Sequence, residues 1–108
     1  MPTTNHQQYK NLSTVKQLST SPNSIPSGAF GADIQCVHQL EITGTAVSGV
    51  RYTLDGDDPT EDVGMLIAAN ETIHINGSEL LRNMKFIRGS ASEDPRLEVT
   101  FYTNAFGP

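Results

Sequence analysis

Five carboxylates crowd one short stretch: Asp55, Asp57, Asp58, Glu61 and Asp62. Hard cations such as Ca²⁺ favour several carboxylate and carbonyl oxygens on a flexible loop. The spacing does not complete such a site. Pro59 interrupts the loop, and Leu66 stands where a calcium loop of the EF-hand type places its bidentate glutamate. The competing reading, and the one expected, is a solvated turn held by Asp side chains that accept from nearby N–H groups. Cys36 and His38 form a second pair. A thiolate nucleophile needs a base beside it and an exposed, electropositive setting. This pair lies in an apolar stripe with no cation alongside, so a buried thiol and a hydrogen-bonded imidazole are expected. His6 and His74 show no metal-ligand spacing with His38. The sequence has no G-x-S-x-G, no glycine-rich phosphate loop and no C-x-x-C. The expectation is a protein without catalytic residues, metal or cofactor, and not an enzyme.

The elements that carry these residues read as strands. In Val50-Arg51-Tyr52-Thr53-Leu54, the apolar Val50, Tyr52 and Leu54 alternate with Arg51 and Thr53, the period of a half-buried strand. Asp55-Gly56 and Pro59 then end it abruptly. Before it, Asp33 to Ile42 predicts a long strand, with Ile34, Cys36, His38, Leu40 and Ile42 on one face and a turn at Thr43-Gly44-Thr45. After it, Gly64 to Ala69 is a short apolar run, Asn70-Glu71 a turn, and Thr72 to Ile75 a strand closed by Asn76-Gly77. Ser78 to Asn83 predicts one helical turn with Ser78 as its N-cap. Met84 to Arg88 and Arg96 to Tyr102 are two further strands, the last with Leu97, Val99 and Phe101 facing inward. Six or so short strands without a βαβ pattern point to an all-β fold, a sandwich or a small barrel. The expectation is a β-sandwich of immunoglobulin-like or jelly-roll type with an extended N-terminal arm.

Composition divides the 108 residues in two. Residues 1–31 are rich in Ser, Thr, Asn and Gln, are broken by Pro22, Pro26 and Gly28, and hold few apolar residues. The spacing of Leu12, Val15 and Leu18 gives at most a weak helical turn. Such a segment buries too little apolar surface to offset its own ordering entropy. The expectation is an extended arm over 1–31, ordered by a neighbouring chain, and a sandwich domain over 32–108. Tyr9, Leu12, Val15, Leu18, Ile25 and Phe30 are the arm's candidate contacts, with Phe106 near the C-terminus as another. The competing reading folds the arm back on its own domain, anchored by Tyr9 and Phe30. On the first reading, removal of residues 1–31 leaves the sandwich folded. A net charge of −5 with only seven Lys plus Arg argues against direct nucleic-acid binding, which needs clustered cations. No apolar run is long enough to span a membrane, and a single cysteine excludes an intrachain disulfide.

Two resemblances bear on function. Tyr52-Thr53-Leu54-Asp55-Gly56, followed by Pro59-Thr60, resembles the signature of the chitobiase C-terminal-like module, also called the fibronectin-III-associated module. That resemblance implies an immunoglobulin-like sandwich with a non-catalytic accessory or carbohydrate-binding role. A longer stretch is similar to small virion structural proteins of tailed bacteriophages. It comprises Arg51 to Thr60, Gly64-Met65-Leu66, Ile73 to Gly77, Leu80-Leu81, Phe86-Ile87 and Leu97 to Tyr102, in that order. This second resemblance implies a virion location and a cementing role in capsid decoration, or a place at the neck or tail. The partners implied are the major capsid protein or other virion subunits, and further copies of the chain in a homo-oligomer. Sugar binding favours exposed aromatic platforms, and with three Tyr, four Phe and no Trp the sequence offers few.

Overall fold

In the computed structural model, residues 2–18, 25, 26, 28–37, 49–90 and 95–104 are described. They form eight strands and one short helix. The strands are β1 (Pro2–Tyr9), β2 (Lys16–Gln17), β3 (Ala29–Val37), β4 (Val50–Thr53), β5 (Met65–Ile67), β6 (Thr72–Asn76), β7 (Lys85–Arg88) and β8 (Arg96–Asn104). The helix, α1 (Ser78–Asn83), lies between β6 and β7. The fold is all-β, in two antiparallel sheets ordered β1-β8-β3-β6 and β2-β7-β4-β5. The pairings are nested. β4 pairs with β5, β3 with β6, β2 with β7 and β1 with β8, so the chain is one long hairpin folded back at the β4–β5 loop. Rolling that hairpin adds the β3–β8 and β4–β7 pairings and joins the strand pairs into the two four-stranded sheets.

Alternation along the strands decides what each sheet buries. Leu97, Val99 and Phe101 of β8, Ala32, Ile34 and Cys36 of β3, and Val50 and Tyr52 of β4 turn inward, as the period-two pattern predicts. They join Ile67, Ile75, Leu81, Met84 and Phe86 in one core shared by the two sheets. Cys36 is free and buried. The other inward positions of the expected 33–42 strand, at 38, 40 and 42, lie outside the described residues, as does the turn at 43–45. The helix starts differently from expectation. Gly77 is its N-cap, Ser78 is its first residue, and no side chain caps it.

The arm is not separate from the domain. β1 pairs with β8 along its whole length, from Pro2 opposite Asn104 to Tyr9 opposite Leu97. β3 runs through the expected boundary at 31/32 without a break in the chain trace. Residues 12–14 turn, and β2 follows in place of a helical turn. Tyr9, Leu12 and Leu18, expected to contact a neighbouring chain, are instead buried in this chain's own core. The physical reason is that β8 supplies β1 with backbone hydrogen bonds that its polar side chains cannot provide. At the same time Tyr9, Leu12 and Leu18 of the segment join the core. The Tyr9 ring stands edge-on to Phe86 of β7 at 5.6 Å, bridging the two layers. Ile25 is partly buried against the same core, and Val15 is half-buried.

Tyr9 donates its hydroxyl to the Leu18 carbonyl at 3.1 Å and is also within 2.9 Å of Gln7 Oε1. Burial pushes its pKa up to about 12, from 10.0 in a free side chain. The folded state thus keeps a proton that the unfolded chain releases. Tyr9 therefore contributes its full stability below pH 10.0, and that contribution drains away as pH rises towards about 12. Tm should fall steeply in this window, and less steeply for Tyr9→Phe. Tyr52 and Tyr102 are also shifted upward, so the difference between the two melting profiles isolates Tyr9.

Candidate functional site

The acidic loop after β4 is closed by its own hydrogen bonds. Asp55 Oδ1 accepts from the Asp57 N–H at 3.1 Å, and Thr53 donates its hydroxyl to the Asp57 carbonyl. Thr60 Oγ1 accepts from the N–H groups of Asp62 and Val63, at 3.2 and 3.0 Å. Pro59 is buried, and Asp58 pairs with Lys85 of β7 at 2.9 Å. Two of the five carboxylates thus have local partners, Asp55 within the loop and Asp58 on β7. Among the described residues, no group of three His, Cys, Asp or Glu is placed to hold a metal ion.

Beyond this loop the chain exposes an apolar rim. Val63, Met65 and Leu66 are exposed at and just before β5, an edge strand of its sheet. Tyr52, Thr53, Leu54, Asp55, Gly64 and Met65 line a shallow groove of about 340 Å³ beside it. Apolar side chains on an edge strand, bordered by carboxylates, are a surface that a partner with cations around an apolar contact would complement.

A second cluster lies on the outer face of the other sheet. Asp33 of β3 stands opposite Thr100 of β8 on one side and His74 of β6 on the other. His74 Nδ1 lies 2.7 Å from Asp33 Oδ1, and the Tyr102 hydroxyl donates to Asp33 Oδ2. A carboxylate only accepts, so His74 carries its proton on Nδ1, and in the neutral ring Nε2 is left as an acceptor. The Tyr102 hydroxyl first, and His74 second, hold the Asp33 carboxyl below its usual pKa, while the same Asp33 bond raises that of Tyr102. Gly31 sits opposite Tyr102 and contributes no side chain to the outer face, and the Tyr102 and His74 rings approach to 6.1 Å.

Phe30 completes this cluster through a backbone irregularity. Ala29 pairs with Thr103 and Gly31 with Tyr102, so Phe30 is an extra residue between successive pairs, a β-bulge. Its carbonyl accepts from the Gly77 N–H at 2.8 Å, which fixes the bulge. The ring is turned outward, 44% exposed, and lies 6.5 Å from the Tyr102 ring at a tilt of 34°. At the other end of the face, Glu98 of β8 accepts from Gln8 at 3.0 Å and lies 3.5 Å from His6, both on β1.

Of the seven residues expected to meet a partner, Phe30 is exposed, Val15 and Ile25 are partly covered, and Tyr9, Leu12 and Leu18 are core. Phe106 lies outside the described residues. Asp33, His74 and Tyr102 were not among the expected site residues. Each sits at an outward position of a strand, which by itself reads as a solvated face, and only the strand register brings the three together. Comparison of the chain with known protein families, with characterised proteins and with solved structures finds no match.

Proposed function

We propose that this chain is a β-sandwich of the jelly-roll type and a structural protein of a bacteriophage virion, a decoration or cement protein of the capsid surface. The observation that carries the reading is the nested pairing of β1 with β8, β2 with β7, β3 with β6 and β4 with β5. This rolled hairpin gives the double Greek-key order found in viral capsid domains, and also in lectin domains and cupins. Fold alone does not select among these roles. The phage reading adds the order of motifs from Arg51 to Tyr102, which resembles small virion proteins. Because Tyr9, Leu12 and Leu18 are committed to the core, the docking surface moves from the arm to the sandwich edge. The exposed Val63, Met65 and Leu66 would supply apolar contact, and the carboxylates of residues 55–62 would select a capsid surface with complementary cations. Each contact is modest, and many copies on one lattice add up by avidity.

The test is protein composition of purified particles made by the genome that encodes this chain. A copy number comparable to that of the capsid subunit is the expected result. A handful of copies per particle would move the protein to the neck or tail, and its absence from particles would end the virion reading. Replacing Met65 and Leu66 by Ser should reduce incorporation by at least tenfold while leaving the melting transition near that of wild type, since both side chains are exposed.

A further inference from the structure

We infer that the outer face of the β1-β8-β3-β6 sheet carries a carbohydrate-binding site, in which a pyranose ring lies on Phe30 and Tyr102 and is hydrogen-bonded by His74. This inference stands independently of the virion reading. Three observations carry it. Phe30 is held out of the core by a bulge, which gives an apolar ring face to solvent beside a second aromatic ring. Tyr102 and His74 are both tied to Asp33, so their rings are fixed on a rigid sheet. With Nδ1 committed to Asp33 and the side chain 56% exposed, the His74 ring in its neutral form offers Nε2 as a hydrogen-bond acceptor.

The chemistry of the cluster narrows the ligand. An anionic ligand is disfavoured, because Asp33 lies at the centre of the cluster and Glu98 farther along the same face. A cationic ligand would want a carboxylate to itself, whereas both Asp33 oxygens already accept, from Tyr102 and from His74. A wholly apolar ligand would cover the exposed His74 ring and leave its Nε2 without water or partner. What remains is a neutral molecule with one apolar face and a rim of hydroxyls. A pyranose has this form: its C–H face covers an aromatic ring, and its hydroxyls donate to an imidazole nitrogen. Asn76 adds an amide to the same rim. Its Oδ1 and the His74 Cε1 each lie 3.8 Å from the point where a side chain at Gly31 would begin.

A single shallow site of this kind binds in the millimolar range, so nuclear magnetic resonance is the suitable readout. The isotope-labelled full chain is titrated with the methyl glycosides of glucose, galactose, mannose, rhamnose and N-acetylglucosamine, each to tens of millimolar. The expected result is that at least one of them shifts the amides of Phe30, Gly31, Asp33, His74 and Tyr102 together and saturably. Phe30→Ala should abolish those shifts without altering the rest of the spectrum, because the ring is exposed. Asp33→Asn should weaken binding at least fivefold by releasing Tyr102 and His74. Absence of shifts with all five glycosides overturns the inference, as do shifts centred elsewhere or shifts that survive Phe30→Ala. None of these outcomes bears on incorporation into particles.

Discussion

A chain that begins at residue 19 is expected to show no cooperative melting transition. Residues 2–18 supply β1, β2 and the core side chains Tyr9, Leu12 and Leu18. Truncating a buried Leu typically costs about 2–5 kcal/mol, and a buried aromatic about 3–5. The sum reaches the whole stability of an ordinary domain, about 5–15 kcal/mol. Deletion also strips β8 of one of its two neighbours and exposes the Phe86 ring that Tyr9 covers. Circular dichroism during heating is the measurement, with Leu12→Ala in the full chain as a milder companion that should melt cooperatively at a lower temperature. A truncated protein that melts like the full chain would restore the separable arm and take Tyr9, Leu12 and Leu18 out of the core. Hydrogen exchange on the full chain gives an independent reading, since the β1 amides bonded to β8 should be protected in the isolated protein.

Gly49→Ala is expected to cost about 4 kcal/mol or more, among the largest effects of any single methyl group in this chain. Gly49 precedes β4 with φ +85°, where an L side chain is strained. The added Cβ would also lie 2.0 Å from the Ile67 carbonyl oxygen and 3.1 Å from the Ala68 Cα. Both are backbone atoms, so no rotamer relieves the clash. The chain must instead separate at the end of the β4–β5 pair, where Val50 stands opposite Ile67. The same movement would disturb the bond from the Gly89 N–H to the Gly49 carbonyl, 2.8 Å long, at the end of β7. Gly56→Ala is the control. Gly56 has a nearly identical φ of +89°, yet nothing lies within 4 Å of its added Cβ. Only the backbone strain remains there, on the order of 1 kcal/mol. Urea denaturation of the two variants should therefore separate steric exclusion from backbone strain, and equal costs would mean that β4 and β5 do not close as described.

Several features of this protein were set by local sequence. The strand Val50 to Thr53 and the strand beginning at Arg96 announce themselves by alternation, because a side-chain period of two is a local property that burial simply ratifies. Asp55-Gly56 and Pro59 end the first of these for equally local reasons, and the loop they start is held by bonds between near neighbours. Cys36 is buried because it shares the inward face of β3 with Ile34. The N-terminal segment was decided otherwise. Among residues 4–9 only Tyr9 is buried, so nothing in Thr4-Asn5-His6-Gln7-Gln8 distinguishes an edge strand from an unstructured tail. Its strand conformation comes from the β8 backbone, and backbone hydrogen bonds leave no mark on side-chain type. The outer-face cluster is likewise tertiary. Asp33 is 41 positions from His74 and 69 from Tyr102, and Phe30 joins them through a bulge defined by the register of β3 against β8. Register is a relation between distant segments, fixed by how the inner faces pack. Sequence determined which residues could alternate, and packing of the two sheets decided which of the outward ones would meet.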